Sequence, residues 1–207
     1  MKRFLFLVQI WLVSLLVCAT LVTLCFVRLD VPVAERFWTT GRFLSPLGEA
    51  FDASVLLSIE TLVALFLIVT RVVRGHLSRF AEVLALACLA SICTYGINDE
   101  VLKPLFGVPM PAQVMQGARH AFNFLMGAGT SSFPSGHMIL ASAFAGVFMR
   151  LHRLSIWPLS ALLVLAAVLL VVGDWHFVSD VIAGTFVGIS AGILAGELWS
   201  VHSKLPQ

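Results

Sequence analysis

Six times along this chain the hydrophobic residues run nearly unbroken, and each run is closed by a more polar interval, short or long. The runs cover about 4–27, 53–72, 80–102, 135–150, 156–173 and 177–199. Such lengths approach the roughly 20 residues that a helix needs to cross a hydrocarbon layer of about 30 Å. Lipid offers no hydrogen-bond partner to a bare backbone, so a spanning segment is a helix or part of a closed barrel. The alternation of a barrel strand is absent. The pattern predicts an all-α, polytopic membrane protein with six transmembrane helices, folded as one domain over residues 1–207.

Composition agrees with the pattern. Of the 207 residues 59% are hydrophobic and 12% charged, and the mean hydropathy is +0.99, well outside the range of soluble domains. The first run follows Lys2 and Arg3, as a secretory signal would. It is about twice the length of a signal core and no small-residue cleavage site follows, so it reads as a retained helix. A net charge of +2 implies no nucleic-acid surface. Cys18, Cys25, Cys88 and Cys93 all fall inside the runs without metal-ligand spacing, and read as small packing residues.

Basic residues concentrate in cytoplasmic loops. With the N-terminus inside, Lys2, Arg3, Arg71, Arg74, Arg79, Arg150, Arg153 and Lys204 lie on the inner side and Arg28, Arg36, Arg42, Lys103 and Arg119 on the outer, eight against five. Asp30, Glu35, Glu49 and Asp52 offset several of the outer charges. Both termini are therefore expected in the cytoplasm. Three polar clusters then share the outer face: Lys103 at the end of the third run, "PSGH" (134–137) before the fourth, and "GDWHFVSD" (173–180) before the sixth.

Each cluster has a chemical and a plain reading. Helix N-termini carry unpaired N–H groups and partial positive charge, which suit an anion. Ser135 can cap the fourth helix, Gly136 admits an anion to the backbone and His137 adds a titratable ring, although Ser, Gly and Pro also mark ordinary loop-to-helix junctions. His176 and Asp180 are one turn apart, so the carboxylate can orient the imidazole, or the pair can merely cap the sixth helix. Lys103 can meet a phosphoryl group, or simply snorkel or pair with Asp99. Gly184, Gly188, Gly192 and Gly196 form a smooth stripe suited to close packing. Glu60 inside the second run has no evident role.

Together these residues resemble the type 2 phosphatidic acid phosphatase (PAP2) superfamily, whose motifs are K-x6-R-P, P-S-G-H and S-R-x5-H-x3-D. Here they read "KPLFGVPMP" from Lys103, "PSGH" at 134–137 and "LLVVGDWHFVSD" at 169–180, and the likeness spans about residues 80–199. The resemblance implies six-helix membrane enzymes that need no metal or other cofactor. By position it makes His176 the nucleophile, Asp180 its orienting partner, and His137 the general acid and then base. Ser135, Gly136 and Lys103 would hold the phosphoryl oxygens.

Two motif arginines are missing: Met110 and Leu170 stand in their places. A guanidinium gives paired, charge-assisted hydrogen bonds to phosphate, so the loss weakens that binding. Arg119, with His120 beside it, is a candidate substitute, though an ordinary loop charge is the plainer reading. The loss also fits a diphosphate or phosphodiester substrate, or a relative that binds lipid without turnover. The resemblance implies a phosphatase acting at the periplasmic face of a bacterial inner membrane on a polyprenyl diphosphate, phosphatidic acid, phosphatidylglycerol phosphate or a lipid A phosphate. Lipid-to-lipid phosphotransfer and a non-catalytic lipid-binding or transport role are the alternatives.

Overall fold

The computed structural model describes residues 2–50, 52–126 and 131–202, with their side chains except at 2–6, 42 and 44–50. Lys204, counted above for the inner side, lies outside the described residues, as do the side chains of Lys2, Arg3, Arg42 and Glu49. In chain order the helices are α1 (Lys2–Arg28), α2 (Asp30–Ala50), α3 (Ala53–Arg74), α4 (Arg79–Ile97), α5 (Lys103–Phe106), α6 (Pro111–Met115), α7 (Gly136–Leu151), α8 (Ile156–Val172) and α9 (Val178–His202). A π-helical turn over Asn98–Leu102 joins α4 to α5. There is no strand among the described residues.

Helices occupy all six apolar runs. Local chemistry sets several of their ends: the Asp52 carboxylate caps α3 at the Ser54 N–H, Ser78 caps α4, and Gly75 closes α3 with a positive φ. Five segments are long and apolar enough to cross a membrane: Leu7–Arg28, Ala53–Arg74, Arg79–Phe106, Arg153–Val172 and Val178–His202. The remaining run, α7, is apolar but has only 16 residues, about 24 Å of helix. It lies at the middle of the bundle, where most of its residues are buried.

The glycine stripe explains the centre of the fold. Added methyl groups at Gly184, Gly188, Gly192 and Gly196 would strike, in turn, Ser135, Ser142, Ala143 and Arg150 of α7. Both series rise together, so α7 and α9 run parallel in near backbone contact and their N-termini lie side by side. The packing reading of the stripe is the one the structure adopts. Against this pair α4 runs antiparallel, with Val83 and Ala87 beside Val147 and the Ser91 hydroxyl donating to the Leu140 carbonyl at 3.0 Å. α1 is antiparallel to α9, the Trp11 indole donating to Ser190 Oγ at 3.2 Å. The ends of α1 and α4 and the starts of α7 and α9 therefore meet at one end of the bundle.

Two features at that end differ from the sequence expectation. Residues 30–50, left outside the six apolar runs, form α2, whose Gly41 lies against the chain just before α9: a methyl there would be 2.6 Å from Asp174 Cβ. The long connection between α4 and α7 is folded down by stacked rings, Phe106, Phe122, Phe124 and Phe133 with Phe26 of α1. Aromatic pairs of this kind add roughly 0.5–1.5 kcal/mol each beyond their buried area.

Candidate active site

The parallel packing of α7 and α9 places His137, in the first turn of α7, next to His176, two residues before α9. His137 Nδ1 is 3.2 Å from His176 Nε2, and His176 Nδ1 is 3.3 Å from Asp180 Oδ2. The same carboxylate oxygen accepts the Phe177 N–H at 2.9 Å. Asp180 and Ser179 are wholly buried, His176 nearly so and His137 half-buried. The Ser135 N–H donates to the Asp180 carbonyl at 3.1 Å, tying the two helix starts together.

With both rings neutral, this chain of contacts admits one placement of the protons. A carboxylate only accepts, so His176 carries its hydrogen on Nδ1, facing Asp180. Its Nε2 is then a lone pair, and His137 Nδ1 is the donor between the rings. The arrangement offers a nucleophilic nitrogen with a proton donor 3.2 Å away, beneath two helix N-termini whose partial charges favour an anion.

Ser135 is the N-cap of α7, its Oγ accepting the Met138 N–H at 3.4 Å, which leaves its O–H to donate. Gly136 is buried against Tyr95: a methyl there would sit 2.9 Å from the ring. Lys103 pairs with Asp99 at 2.9 Å and lies 5.8 Å from the centre of the same Tyr95 ring. Tyr95 thus connects Lys103 to the start of α7. Asn98, in the π turn and fully buried, donates to the Pro134 carbonyl at 3.4 Å. Sequence reasoning missed Tyr95 and Asn98; with Asp99 and Lys103 they make a polar stripe at helical spacing on an otherwise apolar helix, which was the available signal.

The two arginine positions are occupied differently. Leu170 is buried in the apolar core, and its carbonyl accepts the Trp175 and His176 N–H groups at 3.0 and 3.3 Å. Met110 caps α6. Arg119 is exposed, and among the described residues it makes no hydrogen bond or ion pair with the histidines. It is His120 that turns inward, 3.5 Å from Asp30 Oδ2. Asp52 stands at the mouth: its hydrogen bonds with Ser54 hold its carboxyl below the usual range, and His137 and Lys103 add to the effect. Among the described residues no three His, Cys, Asp or Glu side chains group as metal ligands would.

Below the site, α3, α4, α7 and α8 line a half-open apolar cavity of about 540 Å³. Leu56 and Ala141 on its wall lie one turn below Asp52 and His137, and Glu60 faces it with one oxygen lacking a hydrogen-bond partner.

The fold and motifs together place the protein in a family. The model of the PAP2 superfamily matches residues 82–202, and the chain belongs to that superfamily. Among solved structures it is similar to the crystal structure described as the first transmembrane PAP2 type phosphatidylglycerolphosphate phosphatase, from Bacillus subtilis. That likeness has a TM-score of 0.59 at 19% identity, over 96% of this chain and 98% of that one. No curated protein matches the chain. The protein is an all-helical, multi-pass membrane member of the superfamily.

Proposed function

We propose that the protein is a lipid phosphate or diphosphate phosphatase that works through a phosphohistidine at His176. The observation that carries the reading is the chain His137–His176–Asp180 at the paired N-termini of α7 and α9. His176 Nε2 attacks phosphorus, the bond from phosphorus to the leaving oxygen breaks (the lipid alkoxide oxygen of a monophosphate, the bridging oxygen of a diphosphate), and His137 gives its proton to that oxygen. Water then loses a proton to His137 while its oxygen attacks phosphorus, freeing phosphate and restoring both rings. Lys103, the Ser135 hydroxyl and the Gly136 N–H stabilise the phosphoryl oxygens. Arg119, exposed on its loop, joins them only by moving. The lipid chain descends into the cavity beside Glu60.

The positive-inside count supports six crossings, with α7 as the sixth, both termini in the cytoplasm and the site at the periplasmic face of a bacterial inner membrane. Leucine and methionine at the two arginine positions favour a second reading, transfer of the phosphoryl group to another lipid instead of water, because a seat with less positive charge holds a free phosphomonoester less tightly. The test is a panel of polyprenyl diphosphate, phosphatidic acid, phosphatidylglycerol phosphate and lipid A, incubated with purified protein and read both as free phosphate and as phosphorylated lipid. Turnover by the wild type, with none by His176→Ala and inhibition by vanadate, supports the reading. Turnover that survives His176→Ala refutes the nucleophile.

A further inference from the structure

A second buried acid, distant in sequence, reaches the same helix end from the junction of α1 and α2. Asp30, the first residue of α2, is 1% exposed. Its Oδ1 accepts the Ser179 N–H at 3.0 Å and its Oδ2 accepts the Ser179 hydroxyl. Asp30 therefore caps α9 in trans, across a sequence separation of 149 residues, in the turn where Asp180 already accepts the Phe177 N–H. His120 completes the group. Its Nε2 is 3.5 Å from Asp30 Oδ2, at ion-pair distance but without hydrogen-bond alignment. Its ring is held between Phe26 and Phe177, 4.1 and 4.5 Å between centres.

This arrangement is costly for the fold. Two carboxylates are buried at one helix end, each repelling the other, and Asp180 Oδ1 has no hydrogen-bond partner. Burial, the largest cause, pushes the Asp30 carboxyl up to about 6, and the neighbouring Asp180 adds to the rise while the Ser179 bonds oppose it. An ordinary cap on a surface helix end is served as well by Ser or Asn. A buried charge kept at such a cost is a candidate for a functional constraint. What the geometry delivers is a fixed Ser179, hence a fixed Asp180 in the next position and a fixed His176 ring.

We infer that Asp30, backed by His120, is a positioning residue for the reaction proposed above: through Ser179 it sets the orientation in which Asp180 holds His176 for attack. The inference rests on that reading for its kinetic consequences, though the geometry of the His176 ring can be read without turnover.

The test uses the purified full chain carrying Asp30→Asn, Asp30→Glu and His120→Gln. The groups that face Asp30 are Ser179, the Val178 backbone, His120, Asp180 and the Cys25 thiol, and those that face His120 include Asp30, Phe26, Phe177 and, at longer range, Asp180. With the lipid that the wild type turns over, Asp30→Asn should lower kcat about tenfold or more with KM within about twofold. Its melting temperature at pH 7 should be no lower than that of the wild type, because a buried charge has been removed. His120→Gln should show a smaller kcat loss of the same kind, and Asp30→Glu should recover part of the loss. In ¹⁵N-histidine spectra the His176 ring signals should change in Asp30→Asn, with or without substrate. A kcat within twofold of wild type overturns the inference, as does a loss matched by a fall in melting temperature. So does a His176 ring spectrum that Asp30→Asn leaves unchanged. If no lipid in the panel is turned over by the wild type, the phosphatase reading itself has failed, and the ring spectra alone still decide whether Asp30 positions His176.

Discussion

His137 Nδ1 and His176 Nε2 stand at hydrogen-bond distance, 3.2 Å, which is too close for a phosphoryl group to lie between them. A phosphate that binds must therefore part the rings, taking the lone pair of His176 on one side and the proton of His137 on the other. Under the proposed mechanism the acid and the nucleophile rest against each other until substrate separates them.

The two rings should fail differently when replaced. In His176→Ala no phosphoenzyme forms. In His137→Gln the nucleophile and its Asp180 partner remain, but a poor leaving group is no longer protonated and water is no longer activated. With an activated aryl phosphate, which leaves without a proton, His137→Gln should still form the phosphohistidine and then lose it slowly. Rapid-quench labelling with such a substrate should show acid-labile phosphate on the protein in His137→Gln and none in His176→Ala. General acid–base steps contribute about 10²–10⁴-fold, so steady-state turnover of the lipid should fall by that order. Equal labelling of the two variants would remove the distinction of roles.

Much of this was legible in the amino-acid sequence, for physical reasons that can be named. Five of the six runs form helices long and apolar enough to cross a membrane, so hydropathy and helix length agree there. The Ser135 cap and the His176–Asp180 pair are local, within one helical turn, and spacing fixes them. What was not legible is long-range or weakly patterned. α2 is far less apolar than the spanning helices and contains Pro32, Pro46 and Gly41, so hydropathy does not single it out; its packing against α8 and the chain before α9 supplies the reason. Asp30 reads as a surface charge offsetting nearby arginines until the fold brings Ser179 to it. The neighbouring pair Arg119 and His120 shows the same limit: the charged member attracted the phosphate reading, while the structure turns the histidine inward.

The seam between α7 and α9 holds the two histidines together, so widening it should cost both stability and activity. A methyl at Gly188 would lie 2.0 Å from Ser142 Oγ and 2.7 Å from the Ile139 carbonyl; at Gly192 it would lie 2.2 Å from the Ala143 carbonyl. Backbone cannot yield as a flexible side chain does. Gly192→Ala should destabilise by about 1–3 kcal/mol, the usual cost of overpacking, and Gly188→Ala by a similar amount with a larger activity loss, since it lies nearer the site. Gly96 is the control: a methyl there meets nothing within 4 Å, so Gly96→Ala should be neutral or gain up to about 1 kcal/mol of helix propensity. Thermal unfolding in detergent compares the three. A Gly192→Ala protein as stable as Gly96→Ala would contradict the packing.

Lys103 pairs with Asp99 at 2.9 Å, and the proposed function also has it meet a phosphoryl oxygen. A charge-assisted hydrogen bond contributes about 1.5–3 kcal/mol, so Lys103→Met should lower kcat/KM by roughly tenfold to hundredfold. Asp99→Asn removes the competitor, whose carboxylate is 45% exposed, and should lower KM modestly, most visibly at low ionic strength. Opposite signs for the two variants identify Lys103 as a phosphate ligand. If Asp99→Asn is as damaging as Lys103→Met, the pair acts as a structural unit instead.

Asp174 gives a prediction in which pH has a defined sign. It follows α8 in a buried position, with φ of 56° and one carboxylate oxygen lacking a partner, pressed against Gly41 of α2. Burial pushes its carboxyl from the usual 3.8 up to about 6. Between those values the folded protein holds a proton that the unfolded chain has released, so stability falls as pH rises through the window and levels off above it. Asparagine tolerates the left-handed backbone and carries no charge. Asp174→Asn should therefore match the wild type in melting temperature near pH 4, gain on it as pH rises to about 6, and keep a constant advantage beyond. Asp174→Ala should lose stability at every pH, because alanine fits a positive φ poorly. An Asn variant whose advantage shrinks as pH rises would show that the carboxylate is compensated in the folded state, and the account of this buried acid would be wrong.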